Sequence, residues 1–187
     1  MQPKKWKLLS KKDVSPSKWF PIEERTYQLP NGRIVDDFTV TTLADVAMIV
    51  PITKDKKVII VNQYKPGVDE VIMQFPAGRI EDTHKNMDET AQHELEEETG
   101  VKVELSQLTQ FARLSGFSTK ATEIVFVYLA KDCEFNSQQH FDSTEDIEIV
   151  KLSFEEMDRL IEANEIWCGQ TIAAWELAKK KFPAVLR

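Results

Sequence analysis

The sequence predicts an α/β fold of the α+β kind, in which a mixed β-sheet lies sandwiched between helices. Three observations lead there. The apolar runs "ADVAMIVPI" (44–52) and "VIIVNQY" (58–64) flank a short charged turn, "TKDKK", and read as the centre of a sheet. Further strand-like runs are interleaved with helical ones, but without regular βαβ repetition. Two helical stretches then finish the chain.

The elements follow in order. Residues Glu24 to Val40 read as a hairpin, "ERTYQL" and "RIVDDFTV" joined at Pro30-Asn31-Gly32. The first 18 residues carry several lysines and read as a solvated terminus. After the two central strands, "EVIMQFP" (70–76) is stopped by Pro76-Ala77-Gly78, and a loop is expected up to Asn86. Asn86 is a good N-cap with Glu89 placed to close a capping box, and Gly100 is a natural C′ residue. A helix is therefore expected from Met87 to about Thr99. Strands "LTQFARL" and "TEIVFVYLA" come next, then an irregular polar stretch to about Glu145, then the strand "DIEIVKL". The closing helices are "SFEEMDRLIEAN", capped by Ser153, and "GQTIAAWELAKKK". The reading divides the chain into an N-terminal extension with the hairpin, 1–41, and one main domain, 42–187.

At 187 residues and 42% hydrophobic composition, the chain can bury one good core. Its net charge of −7 argues against general affinity for nucleic acid or anionic membranes. No apolar run reaches membrane-spanning length, and "MQPKKWKLLSKKD" lacks a signal-peptide core, so a cytoplasmic protein is expected. Two cysteines without a CxxC pair give no disulfide framework and no thiolate zinc site.

The informative stretch is "HELEEETG". On a helix, Met87, Ala91 and Leu95 share one stripe, which should face the core. Glu94 and Glu98 fall within or beside that stripe, and Glu97 lies at its edge. Glu89, Gln92 and Glu96 point away, and solvation explains them. Two carboxylates about 5 Å apart at an effective dielectric near 20 repel by on the order of 3 kcal/mol. Bound protons, basic partners or a cation must offset that. Hard oxygen ligands grouped this way suit Mg²⁺ or Mn²⁺, which leave positions open for water and phosphate.

The same stretch resembles the Nudix box, G-x5-E-x7-R-E-U-x-E-E-x-G-U with U apolar. Gly78 matches its first glycine, and Glu94-Leu95-Glu96-Glu97-Glu98-Thr99-Gly100-Val101 match its end. "VNQYKP", "PAG" and "TEDIEIVKLSFEEM" resemble segments that accompany the ADP-ribose and nucleoside-diphosphate-sugar branch. The departures are specific. The loop after Gly78 carries one inserted residue, His84 or Lys85 stands where the box has glutamate, and His93 replaces the arginine that orients its acids. No proline is found in Leu114-Ser115-Gly116-Phe117, where the ADP-ribose subgroup has one.

The resemblance implies an α/β/α sandwich and hydrolysis of a pyrophosphate bond in a nucleoside-diphosphate sugar. It implies Mg²⁺ or Mn²⁺ held by Glu94 and Glu98, with Glu97 assisting and the Ala77 backbone carbonyl as a further ligand. It makes Glu97 and Glu98 catalytic, with Glu145 as the distal general base; an ordinary surface acid is the other reading of Glu145. Lys65 occupies the position of the branch's phosphate-binding arginine, as a point charge without the planar fork. Arg79 and Arg113 are further cations, and Trp19 and Trp6 are candidates to stack on a base, with simple packing as the alternative. The branch also implies a homodimer. His140 lies in a polar loop and reads as solvated.

Overall fold

The computed structural model describes residues 2–140 and 146–186. Glu145 lies outside the described residues. The chain divides into two compact units, one comprising the residues up to Asp45 together with Ser115–Ile124, the other Val46–Leu114 and the residues from Val125 onward.

The first unit is a three-stranded antiparallel sheet in the order β1 (Lys7–Asp13), β2 (Ile22–Gln28), β3 (Ile34–Thr41). The β2–β3 hairpin is the one expected, with Gly32 at φ 85° in its turn. β1 corrects the reading of the lysine-rich terminus as merely solvated. Every residue of β1 is exposed, so no alternation marks it as a strand; it forms because β2 offers a ladder to pair with. Trp6 packs edge-on against Tyr27 and Phe38, at centroid distances of 5.8 and 5.9 Å. Packing is thus the right reading of Trp6.

In the second unit, β4 (Val46–Thr53) and β5 (Val58–Lys65) are central, as expected, in the order β10-β5-β4-β9-β8. Here β8 is Leu108–Leu114, β9 Val125–Cys133 and β10 Ile147–Leu152. β4 pairs with β9 in parallel and the other ladders are antiparallel, which makes the sheet mixed. β4 and β5 meet at Ile52–Val58 and then part. In the fork, β6 (Glu70–Gln74) pairs with β5 and β7 (Ala77–Arg79) pairs with β4. β7 falls in the expected loop; three residues that include Gly78 carry no strand signal of their own, and β4 imposes their conformation.

Alternate residues of β4 and β5 face opposite sides of the sheet. Met48, Val50, Ile52 and Ile60 pack with Met157, Leu160 and Trp175 of α2 (Phe154–Glu162) and α3 (Gly169–Lys181). Ala47, Ile49 and Ile59 pack with Ala91 and Leu95 of α1 (Met87–Thr99). The sheet is therefore covered by helices on both sides. Trp175 is fully buried, and its Nε1 donates to Asp158 Oδ1 at 2.6 Å.

The limits of α1 follow from its caps. Asn86 Oδ1 accepts the Glu89 N–H at 3.0 Å, and Gly100 ends the helix at φ 69°. The reciprocal half of the capping box does not form. Glu89 instead accepts the Lys85 N–H at 2.9 Å, because the Lys85 ammonium holds its other oxygen at 3.0 Å.

Candidate active site

The site begins with a dipeptide under a helix. β7 is fixed to β4 in register, Ala77 opposite Met48 and Gly78 opposite Ala47. α1 lies over the same face, held by the buried side chains of Ala91 and Leu95. Its acids then meet β7 in pairs. The buried Glu98 accepts the Ala77 N–H on Oε2 at 3.0 Å. A Cβ placed on Gly78 would fall on the Glu94 carboxyl group, so the glycine is needed for close approach rather than for its φ. The core-directed orientation expected for Glu94 and Glu98 is what brings them onto Ala77-Gly78.

Beside this junction opens a cleft of about 530 Å³, lined by Lys65, Ala77, Gly78, Arg79, Glu81, Glu94, Glu97 and His140. The volume suits a nucleotide-sized ligand. Lys65 comes from the end of β5, Arg79 from the end of β7, and Glu94 and Glu97 from adjacent turns of α1. Of the residues singled out from the sequence, the cleft gathers Lys65, Ala77, Arg79, Glu94 and Glu97, with Glu98 buried immediately behind Ala77. Trp19 belongs to the N-terminal unit, is 75% exposed, and carries the Lys18 ammonium 4.6 Å from its ring centroid.

His140 is exposed in its loop, as expected, but its position adds something the sequence did not mark. It lines the cleft, and its backbone N–H donates to the Glu97 carbonyl at 3.0 Å. Gln139 Nε2 donates to the Glu98 carbonyl at 2.7 Å, and the N–H groups of Asn136 and Ser137 donate to the Gly100 carbonyl at 3.2 and 3.0 Å. These are carbonyls that the end of an α-helix leaves without partners within the helix. Residues 136–140 thus cap the C-terminal end of α1 as a strap. No periodicity in the sequence marks such main-chain capping.

Glu96 belongs to the same strap. The Ser137 hydroxyl donates to its carboxylate at 2.7 Å and Lys102 lies 3.3 Å away. The Ser137 hydrogen bond holds its carboxyl below the usual carboxylate range, against the opposing effect of burial, with Lys102 and His93 adding to the lowering. Solvation alone therefore does not account for Glu96. His93, at the position of the box arginine, packs against His84 with ring centroids 4.8 Å apart. His84 Nδ1 in turn lies 3.2 Å from Thr90 Oγ1. The inserted loop is thereby folded back onto α1.

Among the described residues, no group of three or more His, Cys, Asp or Glu side chains stands ready to enclose a metal ion. A dedicated all-protein cage is not what a hydrated Mg²⁺ requires, since one or two carboxylates, waters and substrate phosphates suffice. Glu94, Glu97 and Ala77 line the cleft, Glu98 lies buried behind Ala77, and the donors are oxygen atoms. This set fits a hard divalent cation.

The comparisons with known proteins agree with this geometry. Residues 42–173 match the NUDIX domain family. ADP-ribose pyrophosphatase of Bacillus subtilis (strain 168) is 29% identical over 177 residues, 94% of this chain and 93% of that protein. The methanol dehydrogenase activator of Bacillus methanolicus is 33% identical over 151 residues, 79% of this chain and 78% of its own. ADP-sugar pyrophosphatase of Mus musculus is 32% identical over 141 residues, 70% of this chain and 64% of that one. A crystal structure of an ADP compounds hydrolase superposes with a TM-score of 0.84 at 24% identity, over 98% of this chain and 97% of the other. At that identity the superposition speaks for the fold.

Proposed function

This chain belongs to the Nudix family as a hydrolase of its ADP-ribose and nucleoside-diphosphate-sugar branch, and from that premise we propose the bond it cleaves. Water attacks the pyrophosphate of an ADP-ribose-like nucleotide sugar, and the products are a nucleoside monophosphate and a sugar phosphate. The observation that carries this reading is the meeting of Glu94 and Glu98 with Gly78 and Ala77 beside a cleft that also presents Lys65 and Arg79.

The residues divide the work. Lys65 and Arg79 receive the anionic phosphates, since a protein of net charge −7 needs local cations or a metal ion to attract them. Glu94, Glu97 and Glu98, with Ala77, hold a divalent cation, Mg²⁺ or Mn²⁺. When bound, that ion supplies charge stabilisation at the phosphoryl oxygens and lowers the barrier to attack by water. Glu97 and Glu98 orient the reacting groups from α1, and Glu145 takes the proton of the attacking water. Trp19, in the N-terminal unit, stays a candidate to stack on a base, with simple packing as its other reading. The protein acts as a cytoplasmic homodimer through the 1–41 extension, without nucleic acid or membrane. Among the described residues, no helix is long and apolar enough to cross a membrane.

GDP-mannose or another nucleotide sugar is the alternative substrate, and Leu114-Ser115-Gly116-Phe117, without the subgroup's proline, favours keeping it. A second reading, a Nudix-fold regulatory module with weakened catalysis, is favoured by His93 at the arginine position. The name of the Bacillus methanolicus relative also describes an activator. One assay decides among them. The protein is incubated with ADP-ribose, GDP-mannose and UDP-glucose, with and without Mg²⁺ or Mn²⁺, and nucleoside monophosphate is measured. Release with ADP-ribose that stops on chelation is expected. Absence of release from every nucleotide sugar overturns the hydrolase mechanism in favour of the regulatory reading.

A further inference from the structure

The donors available to the diphosphate raise a question of direction as well as charge. Lys65 offers a flexible point charge, without the planar fork of an arginine. Arg79 is exposed at the end of a strand only three residues long. The acids on the α1 side of the cleft repel phosphate until a cation covers them. Two polar side chains remain on the wall, Glu81, a further acid that can only accept hydrogen bonds when ionised, and His140, which can donate one.

Its placement is built rather than incidental. His140 is fixed by its own N–H to the Glu97 carbonyl, and Gln139 by its side-chain amide to the Glu98 carbonyl. Ser137 is fixed twice, by its hydroxyl to Glu96 and by its N–H to Gly100. The fit at the far end is close. A Cβ on Gly100 would come within 2.8 Å of the Ser137 carbonyl oxygen. The strap therefore carries the imidazole to the cleft on the same helix end that carries Glu97 and Glu98.

We propose that His140 is a substrate-contacting residue, whose imidazole N–H donates a hydrogen bond to a non-bridging oxygen of the substrate diphosphate. An imidazole keeps at least one N–H in either protonation state, so the contact does not depend on titration. The contact rests on the hydrolase reading above and deepens it: His140 adds a directional donor to the charges of Lys65 and Arg79. The chemistry recognised is a diphosphate diester, whatever sugar lies beyond it.

The test uses the full chain with Mg²⁺ and ADP-ribose. Wild type, His140→Ala and His140→Asn are compared for KM and kcat, and for equilibrium binding of the α,β-methylene analogue of ADP-ribose. Asn restores an N–H donor without a titrating ring. The expected result is a rise of about tenfold in KM and in analogue Kd for His140→Ala, with kcat within about twofold, the worth of one hydrogen bond to a charged group. His140→Asn should recover most of the loss. The side chain is exposed, so unfolding temperatures should coincide; a shared loss of stability by both variants would mark a structural role and overturn the proposal. Unchanged KM and Kd, or a loss confined to kcat, also overturns it. A wild type that neither cleaves nor binds the nucleotide removes the hydrolase reading itself, which is a different outcome from an active wild type matched by His140→Ala.

Discussion

Glu98 Oε2 accepts the backbone N–H of Ala77 at 3.0 Å, which ties a buried acid on α1 to the short strand β7 beneath it. The bond gives Glu98 a structural duty in addition to the chemical one proposed for it. The two can be separated by substitution. Glu98→Gln keeps an acceptor for Ala77 and removes the charge, so stability should hold while activity with Mg²⁺ falls about 10–100-fold, as for lost support of a metal site. Glu98→Leu removes the acceptor of the half-buried Ala77 N–H, so it should in addition cost about 1 kcal/mol in a denaturant titration. Full activity in Glu98→Gln would remove Glu98 from the chemistry.

Gly78→Ala tests close approach. The new methyl group must displace the Glu94 carboxyl group, and if Glu94 holds the proposed cation, a displacement of about 1 Å should cost on the order of 10²-fold in rate. The circular dichroism spectrum should be unchanged, because Gly78 adopts ordinary strand geometry in β7. An active Gly78→Ala would show that Glu94 moves aside without consequence.

Much of this site was legible in the sequence, for reasons that can be named. Asn86 and Gly100 bounded the helix through cap chemistry, and Ala91 and Leu95 fixed which of its acids turn inward. β7 was not legible, because Ala77-Gly78-Arg79 becomes a strand only by pairing with Val46, Ala47 and Met48. The exposed strand β1 was hidden for the same reason. The position of His140 at the cleft was not legible, because carbonyl groups at a helix end place it, and backbone groups leave no trace in residue type. The reading of Glu96 as solvated failed on the same strap, through Ser137.

His93→Arg should raise kcat by about tenfold, the worth of restoring one charge-assisted hydrogen bond to the helix acids. The substitution also ends the His84–His93 ring contact at 4.8 Å. His84→Ala, which ends that contact without adding a guanidinium, serves as the control and should not raise kcat. Steady-state rates for the two variants check both statements.

Cys133 and Cys168 should differ in reactivity. Burial pushes the Cys133 thiol up from its ordinary value near 9 to about 12, with the Ile52 backbone hydrogen bond acting weakly the other way. At pH 8 a thiol reagent should label half-buried Cys168 in the native protein and Cys133 only after unfolding. The raised value also fixes a sign. Stability is complete below about 9, where both states keep the proton, and falls as pH rises from there towards about 12, because the unfolded chain ionises first. The slope is about 1.4 kcal/mol per pH unit. Cys133→Ala should flatten the loss between pH 9 and 10, before Tyr128, pushed up by burial and by Asp88, adds its own.

The parallel pairing of β4 with β9 bears on how the protein is made. Ala77 and Glu98 are 21 residues apart, but β4 waits for a partner that begins at Val125. Local loops close cheaply and distant parallel strands close late. A chain leaving the ribosome therefore exhibits β4, apolar along nearly its whole length, well before β9 arrives to cover its edge. During that interval the glutamates of α1 are expected to keep the nascent chain charged and apart from its neighbours. A truncated chain ending at Leu114 is expected to aggregate faster when Glu94, Glu96 and Glu97 are changed to glutamine, and light scattering would show it.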